Sequence, residues 1–190
     1  GDLGKMAVSA KTHSAIFSKK LATHLLECGY DADSIFAGSA FDDQLLQDES
    51  PTARLTDSIK FFERAAVLTG NDNLGFEFRK EHDIRRAGLI CYVGLAAPTV
   101  GGFLTNFARY SRVVSEALEI DSSRLASDGI VEWDYAISPG ISRRQYVECS
   151  AVCLINTMRR YSLGNVVPRL VKFQHNRRKQ FGEIEAYLGC

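Results

Sequence analysis

Between Arg143 and Ser162 the chain contains neither glycine nor proline. Its middle, with Val147, Cys149, Ala151, Val152, Cys153, Leu154 and Ile155, is apolar on nearly every side of a helix. A helix of that length without a polar stripe has no face to turn to water, so it must lie in the interior with other elements wrapped round it. A chain of 190 residues, 45% of them hydrophobic, can supply that wrapping as one domain. Disorder is excluded by the same composition. No apolar run approaches the roughly eighteen residues needed to cross a bilayer.

The wrapping is legible on both sides of this helix. Ala15, Ile16, Leu21, Leu25 and Leu26 follow a helical period that stops near Gly29. Asp31 or Asp33 caps a short turn through Ile35 and Phe36, and a second short helix fits Phe41 to Gln47. After the turn at Asp48 to Pro51, a helix opens at Leu55 and runs through Ile59, Phe62, Ala66 and Leu68 to a Gly70-Asn71 stop. Asn73 caps Leu74 to Lys80, and Arg86 to Ala97 reads as a buried helix broken before Pro98. Thr99 caps a helix from Val100 to Leu118, with Gly101 and Gly102 in its first turn.

The period then changes from near 3.6 to 2. Leu118 and Ile120 alternate with acids, Ser127-Asp128-Gly129 signals a turn, and Val131, Trp133, Tyr135 and Ile137 alternate with Glu132 and Asp134. That pattern predicts a hairpin with one apolar, aromatic face. Ser142 caps the long helix, Gly164 ends it, Val167 to His175 reads as another strand and Arg178 to Leu188 as a last helix. The expected fold class is α+β: a mainly helical N-terminal half, then a small antiparallel sheet packed against a long buried helix. One domain spans 1–190, with short helices over 13–50 leading into a core over 55–190.

Charge is balanced at 23 basic and 23 acidic side chains. A free-standing nucleic-acid binder would need a basic surplus. The balance conceals a division: residues 1–140 hold 14 basic and 20 acidic groups, and residues 141–190 hold 9 basic and 3 acidic. The basic quarter carries Arg143-Arg144, Arg159-Arg160 and Arg177-Arg178-Lys179, either as solvated helix faces or as a surface toward an acidic partner. Five cysteines and no secretory pattern over Gly1 to Ala10 point to reduced thiols and a cytoplasmic protein. Cysteine and histidine spacings match no zinc site, no phosphate-binding or dinucleotide loop is present, and neither a metal nor a cofactor is expected.

Candidate chemistry centres on aromatics. Trp133 and Tyr135 on the hairpin face Tyr92, Phe103, Tyr146 and Cys149 from the helices. Such a set lines a small-molecule pocket or fills an ordinary core, and periodicity does not separate the two. Arg86 and His175 are candidate polar anchors. An alternative is a small thiol- or metal-dependent enzyme built on Cys149 and Cys153, which stand one helical turn apart. A third reading is an interaction module with no ligand.

Four ordered segments resemble one family. Phe61 to Gly75, with Thr69-Gly70-Asn71-Asp72-Asn73-Leu74-Gly75, is similar to a helix followed by T-G-D-x-x-x-G. Ala87 to Thr99, continuing to Ala108-Arg109-Tyr110, resembles a G-x-x-G-Y-x-x-x-x-x-P-T turn and a helix ending in A-R-Y. Arg143-Arg144-Gln145 through Phe173-Gln174-His175 resembles a long helix followed by an F-x-H strand. Tyr187-Leu188-Gly189-Cys190 resembles a Y-x-x-x-F-G-C segment. The set, covering about 10–190, resembles the N-terminal effector and dimerisation domain of the arabinose-binding-like, non-cupin subgroup of AraC-type transcription regulators. The resemblance implies a non-enzymatic bacterial sensor domain, a small-molecule effector, a homodimer and no membrane contact. It also implies DNA binding only through a C-terminal helix-turn-helix domain that this chain lacks. No fixed ligand-binding positions carry over.

Overall fold

A computed structural model describes residues 12–81, 96–177 and 181–190. Most of the buried helix expected over Arg86 to Ala97, with the candidate anchor Arg86 and the candidate pocket residue Tyr92, falls in 82–95, outside the described residues.

Strand β1 (Thr12–Ser14) opens the described chain and leads into α1 (Ile16–Glu27), which ends where Gly29 takes a positive φ of 92°. Asp31 accepts a hydrogen bond from the Ser34 amide and caps α2 (Ala32–Phe36). A single helical turn, α3 (Gln44–Gln47), replaces the longer helix expected from Phe41. Strand β2 (Thr52–Arg54) then runs antiparallel to β1, with His13 opposite Ala53. This pair lies in the half expected to be mainly helical. Helix α4 (Leu55–Thr69) closes on Gly70 at φ 66°, a left-handed cap as its sequence indicates. Helix α5 (Leu74–Glu81) follows.

Thr99 caps α6 (Val100–Tyr110) by accepting from the Gly102 amide at 3.0 Å. The helix ends eight residues before the expected Leu118, passing into a 3-10 turn at Ser111–Val113. Strands β3 (Leu118–Asp121) and β4 (Glu132–Tyr135) form the expected antiparallel pair, linked through the short helix α7 (Leu125–Asp128). Leu118 lies opposite Tyr135 and Ile120 opposite Trp133, which gathers the apolar residues on one face. Strand β1 joins the two halves of the fold: it pairs with β2, and Ser14 donates its amide to the Val114 carbonyl at 2.7 Å.

The long helix α8 (Arg144–Tyr161) is the interior element that its composition requires: no residue from Arg144 to Arg159 is exposed. Its N-cap is Arg143 with no side-chain bond, so Ser142 does not cap it. It packs most extensively on α5 and then on α4. The closeness to α5 depends on Gly75, whose amide donates to Gln145 Oε1 at 2.8 Å. Beyond α8 the expected strand over 167–175 is absent, and Val167 and Leu170 are exposed. Val171 and Phe173 instead pack against a small cluster of Phe76, Val152, Ile155, Ile184 and Leu188, the last two from α9 (Phe181–Leu188). A larger core joins α1, α2, α3, α4, the hairpin and the first turns of α8. The architecture is α+β, with two small antiparallel sheets and a predominance of helix.

Two serines in the larger core have no polar partner among the described residues: Ser18 in α1 and Ser58 in α4, each fully buried. An unsatisfied buried hydroxyl carries its desolvation cost without return. Ser58→Ala is therefore expected to stabilise the fold by about 1 kcal/mol, because alanine also favours helix. A urea midpoint that falls in that variant would show that the hydroxyl has a partner.

Candidate functional site

The apolar face of the hairpin does not close completely onto α8. A cavity of about 100 Å³ lies between them, covered from the side by α6 and at one end by β1. Phe103 and Phe107 come from successive turns of α6, with ring centroids 6.1 Å apart and planes 20° from parallel. Trp133 and Tyr135 come from alternate positions of β4. Tyr146, Ser150, Cys153 and Thr157 come from one face of α8, where spacings of four and three residues bring them into line. Leu118 and Phe17 complete the apolar wall.

Four expected site residues, Phe103, Trp133, Tyr135 and Tyr146, thus border one cavity. Cys149 does not. It is fully buried in the larger core, while Cys153, one turn later, borders the space. An apolar helix offers periodicity no way to choose between neighbouring turns. His175 is also elsewhere, as described below.

Most polar atoms around the cavity already have partners. Ser150 donates to the Tyr146 carbonyl at 2.9 Å, so the Tyr135 hydroxyl, 3.0 Å away, donates to Ser150 Oγ. Burial pushes the Tyr135 phenol above its ordinary pKa, which keeps it neutral. Thr157 donates to the Cys153 carbonyl at 2.8 Å. His13, only 5% exposed, shares a hydrogen bond between Nε2 and the Tyr146 hydroxyl, and its Nδ1 has no partner among the described residues. Burial lowers the His13 pKa from 6.5 to about 4, so the ring is neutral at neutral pH. Among the described residues none that borders the cavity carries a charge. His13 stood among four scattered histidines in the sequence. What singles it out is a strand pairing to Ala53, forty residues away, that leaves no local signal.

A second cluster is ionic. Glu148, on another face of α8 and 2% exposed, accepts from Arg177 Nε at 2.6 Å and from His175 Nε2 at 2.9 Å, with Arg177 Nη2 on its other oxygen. Arg144 Nη1 stands 3.9 Å away. Burial opposes the Glu148 charge, but the hydrogen bonds from Arg177 and His175 and the nearby guanidinium charges outweigh it and hold the carboxyl below its ordinary value. Arg177 Nη1 also donates to Asn73 Oδ1 at 2.5 Å. The cluster ties residues 175–177 to α8 and to the turn before α5. It is saturated with its own partners, and His175 is a part of that structure.

Three further arginines of the basic quarter are engaged in the same way, while Arg178 and Lys179 lie outside the described residues. Arg143 donates to the Ser138 carbonyl at 2.8 Å, Arg144 pairs with Asp72, and Arg159 donates to the Leu188 carbonyl at 2.6 Å. These arginines fasten the fold internally. A wider depression of about 470 Å³ lies near Gly38, Lys60 and Ile141. Its charged side chains are partly engaged: Asp57 with Arg54, Arg64 with the Ala37 carbonyl, and Glu63 with the Gln145 amide. Among the described residues no group of three or more His, Cys, Asp or Glu could hold a metal ion, and no helix is long and apolar enough to cross a membrane.

A family model described as the N-terminal arabinose-binding domain of AraC transcription regulators matches residues 29–190. No curated protein matches the chain. The matched span contains α6, the hairpin and α8, whereas His13 and Phe17 precede it.

Proposed function

Because the chain belongs to the family of arabinose-binding domains of AraC transcription regulators, we propose that it senses a small-molecule effector in the cavity between hairpin and α8 and thereby regulates transcription. This family comprises ligand-binding domains of regulators and is not an enzyme family. The observation that carries the reading is the aromatic cavity itself, bordered by residues from four separate parts of the chain. An effector that binds one conformation better than another shifts the balance between them, and an attached helix-turn-helix domain would transmit that shift to DNA. Phe103, Trp133, Tyr135 and Tyr146 are the proposed walls, and Tyr92 and Arg86 remain candidates from the adjoining segment. The proposed setting is the bacterial cytoplasm and the proposed assembly a homodimer. Helix α8, a natural choice for dimer pairing on its length, is unsuitable because it has no exposed face before Arg160.

The chain's single tryptophan, Trp133, borders the cavity and reports on it directly. A screen over amino acids, fatty acids, polyamines, phenols and sugars is expected to yield a compound that both shifts Trp133 emission and raises the melting temperature. At a hundred times its Kd the gain is about 2.7 kcal/mol, or roughly 5–10 °C for a domain of this size. Thermal and emission responses absent across every class would overturn the sensing role.

A further inference from the structure

We infer that the effector is an uncharged, mainly apolar molecule with a single hydrogen-bonding head, such as a phenol or alcohol, and that His13 Nδ1 receives this head. The inference rests on the sensing role proposed above and specifies its ligand.

The cavity presents ring faces, ring edges and aliphatic carbons, and its volume is of the order that accepts a single ring. Among the described residues a carboxylate or ammonium group would meet no opposite charge, because none of those bordering the cavity is ionised and His13 is neutral. A sugar would fare poorly for a different reason. Each of its hydroxyls loses water on entry, and the hydroxyls of Tyr135, Ser150 and Thr157 already donate to protein atoms. The half-buried Ser14 adds one more hydroxyl next to His13. The inner demand is confined to one atom: a buried ring nitrogen with no partner among the described residues. A neutral imidazole offers Nδ1 as donor in one tautomer and as acceptor in the other, and a hydroxyl answers both. A ligand supplying that hydroxyl pairs with this nitrogen, whereas the analogue without it leaves the nitrogen unpaired, and that difference favours the hydroxylated ring.

The test is a set of four single-ring or sugar probes on the purified chain, followed by Trp133 emission and melting temperature: p-cresol, toluene, p-toluate and L-arabinose. Binding of p-cresol is expected to be at least fivefold tighter than that of toluene, and at least tenfold tighter than that of p-toluate or arabinose. In His13→Leu the preference for p-cresol over toluene should vanish while toluene still binds. The imidazole nitrogen resonances of His13 in the unsubstituted protein give the same information if that variant does not fold: they should move with p-cresol and stay with toluene. Tighter binding of p-toluate or arabinose overturns the assigned ligand class and leaves sensing intact. So does failure of all four probes when another class in the screen binds. Failure of every compound overturns both.

Discussion

Gly75→Ala is expected to cost about 3 kcal/mol and to lower the melting temperature by roughly 6–12 °C, although alanine is the better helix former. A methyl group at that position would collide with the Gln145 carbonyl group, its carbon 2.7 Å away, and with Gln145 Cα at 2.9 Å. Both are backbone atoms of α8, so relief requires moving a helix, and the bond from the Gly75 amide to Gln145 Oε1 would be disturbed with it. Gly101→Ala is the matched control. It lies in the first turn of α6, no atom stands within 4 Å of the added carbon, and its φ is not positive. There the helix propensity acts alone, so stability should rise by up to about 1 kcal/mol. Equal effects at the two positions, read from urea unfolding, would mean that α5 and α8 are not in close contact.

The second large effect lies in the ionic cluster. Glu148→Gln removes the shared partner of Arg177, which is 5% exposed, and of His175 and Arg144. Breaking a buried pair by removing one side costs about 3–5 kcal/mol, because the other charge stays buried and uncompensated. Arg177→Met should cost a similar amount, and the double replacement Glu148→Met with Arg177→Met should cost clearly less than the two losses added. Strict additivity would show that the two groups do not act as a pair.

Acid titration separates this cluster from the cavity. Glu148 has a folded pKa held below its ordinary value of 4.5. Its stabilisation is complete above that value and is lost as pH falls through the folded pKa. His13 is lowered from 6.5 to about 4. Between those values the unfolded chain binds a proton that the folded chain does not, so stability falls with falling pH, by about 3 kcal/mol over the window. Glu148→Gln should therefore flatten the loss below pH 4.5 and leave the loss between 6.5 and 4.5 unchanged. A loss in the upper window that disappears in this variant would assign it to the cluster instead of His13.

What could be read from the sequence was local. The stop at Gly70, the Thr99 cap, the hairpin face of Trp133 and Tyr135 and the burial of α8 each follow from a few adjacent residues. Pairing across long stretches was not legible. Three residues at Thr12–Ser14 carry no strand signature by themselves, yet their pairing with Thr52–Arg54 delivers His13 to the cavity. The opposite error occurred at 167–175, which read as a strand. Alternation describes which way side chains point, and a strand also needs an edge to bond to; Val171 and Phe173 found a helical cluster instead. The arginines were undecided for a third reason. Paired basic residues look the same in sequence whether they meet water or a buried carboxylate such as Glu148.

Helix α8 is a party wall. Tyr146, Ser150, Cys153 and Thr157 face the cavity. About half a turn round the axis, Val152 and Ile155 hold α9, Asn156 accepts from the Tyr187 hydroxyl, and Arg159 grips the Leu188 carbonyl. A closely packed interior passes a displacement on more than it absorbs it. The last turn of the described chain is thus joined, through one helix, to a space it does not border.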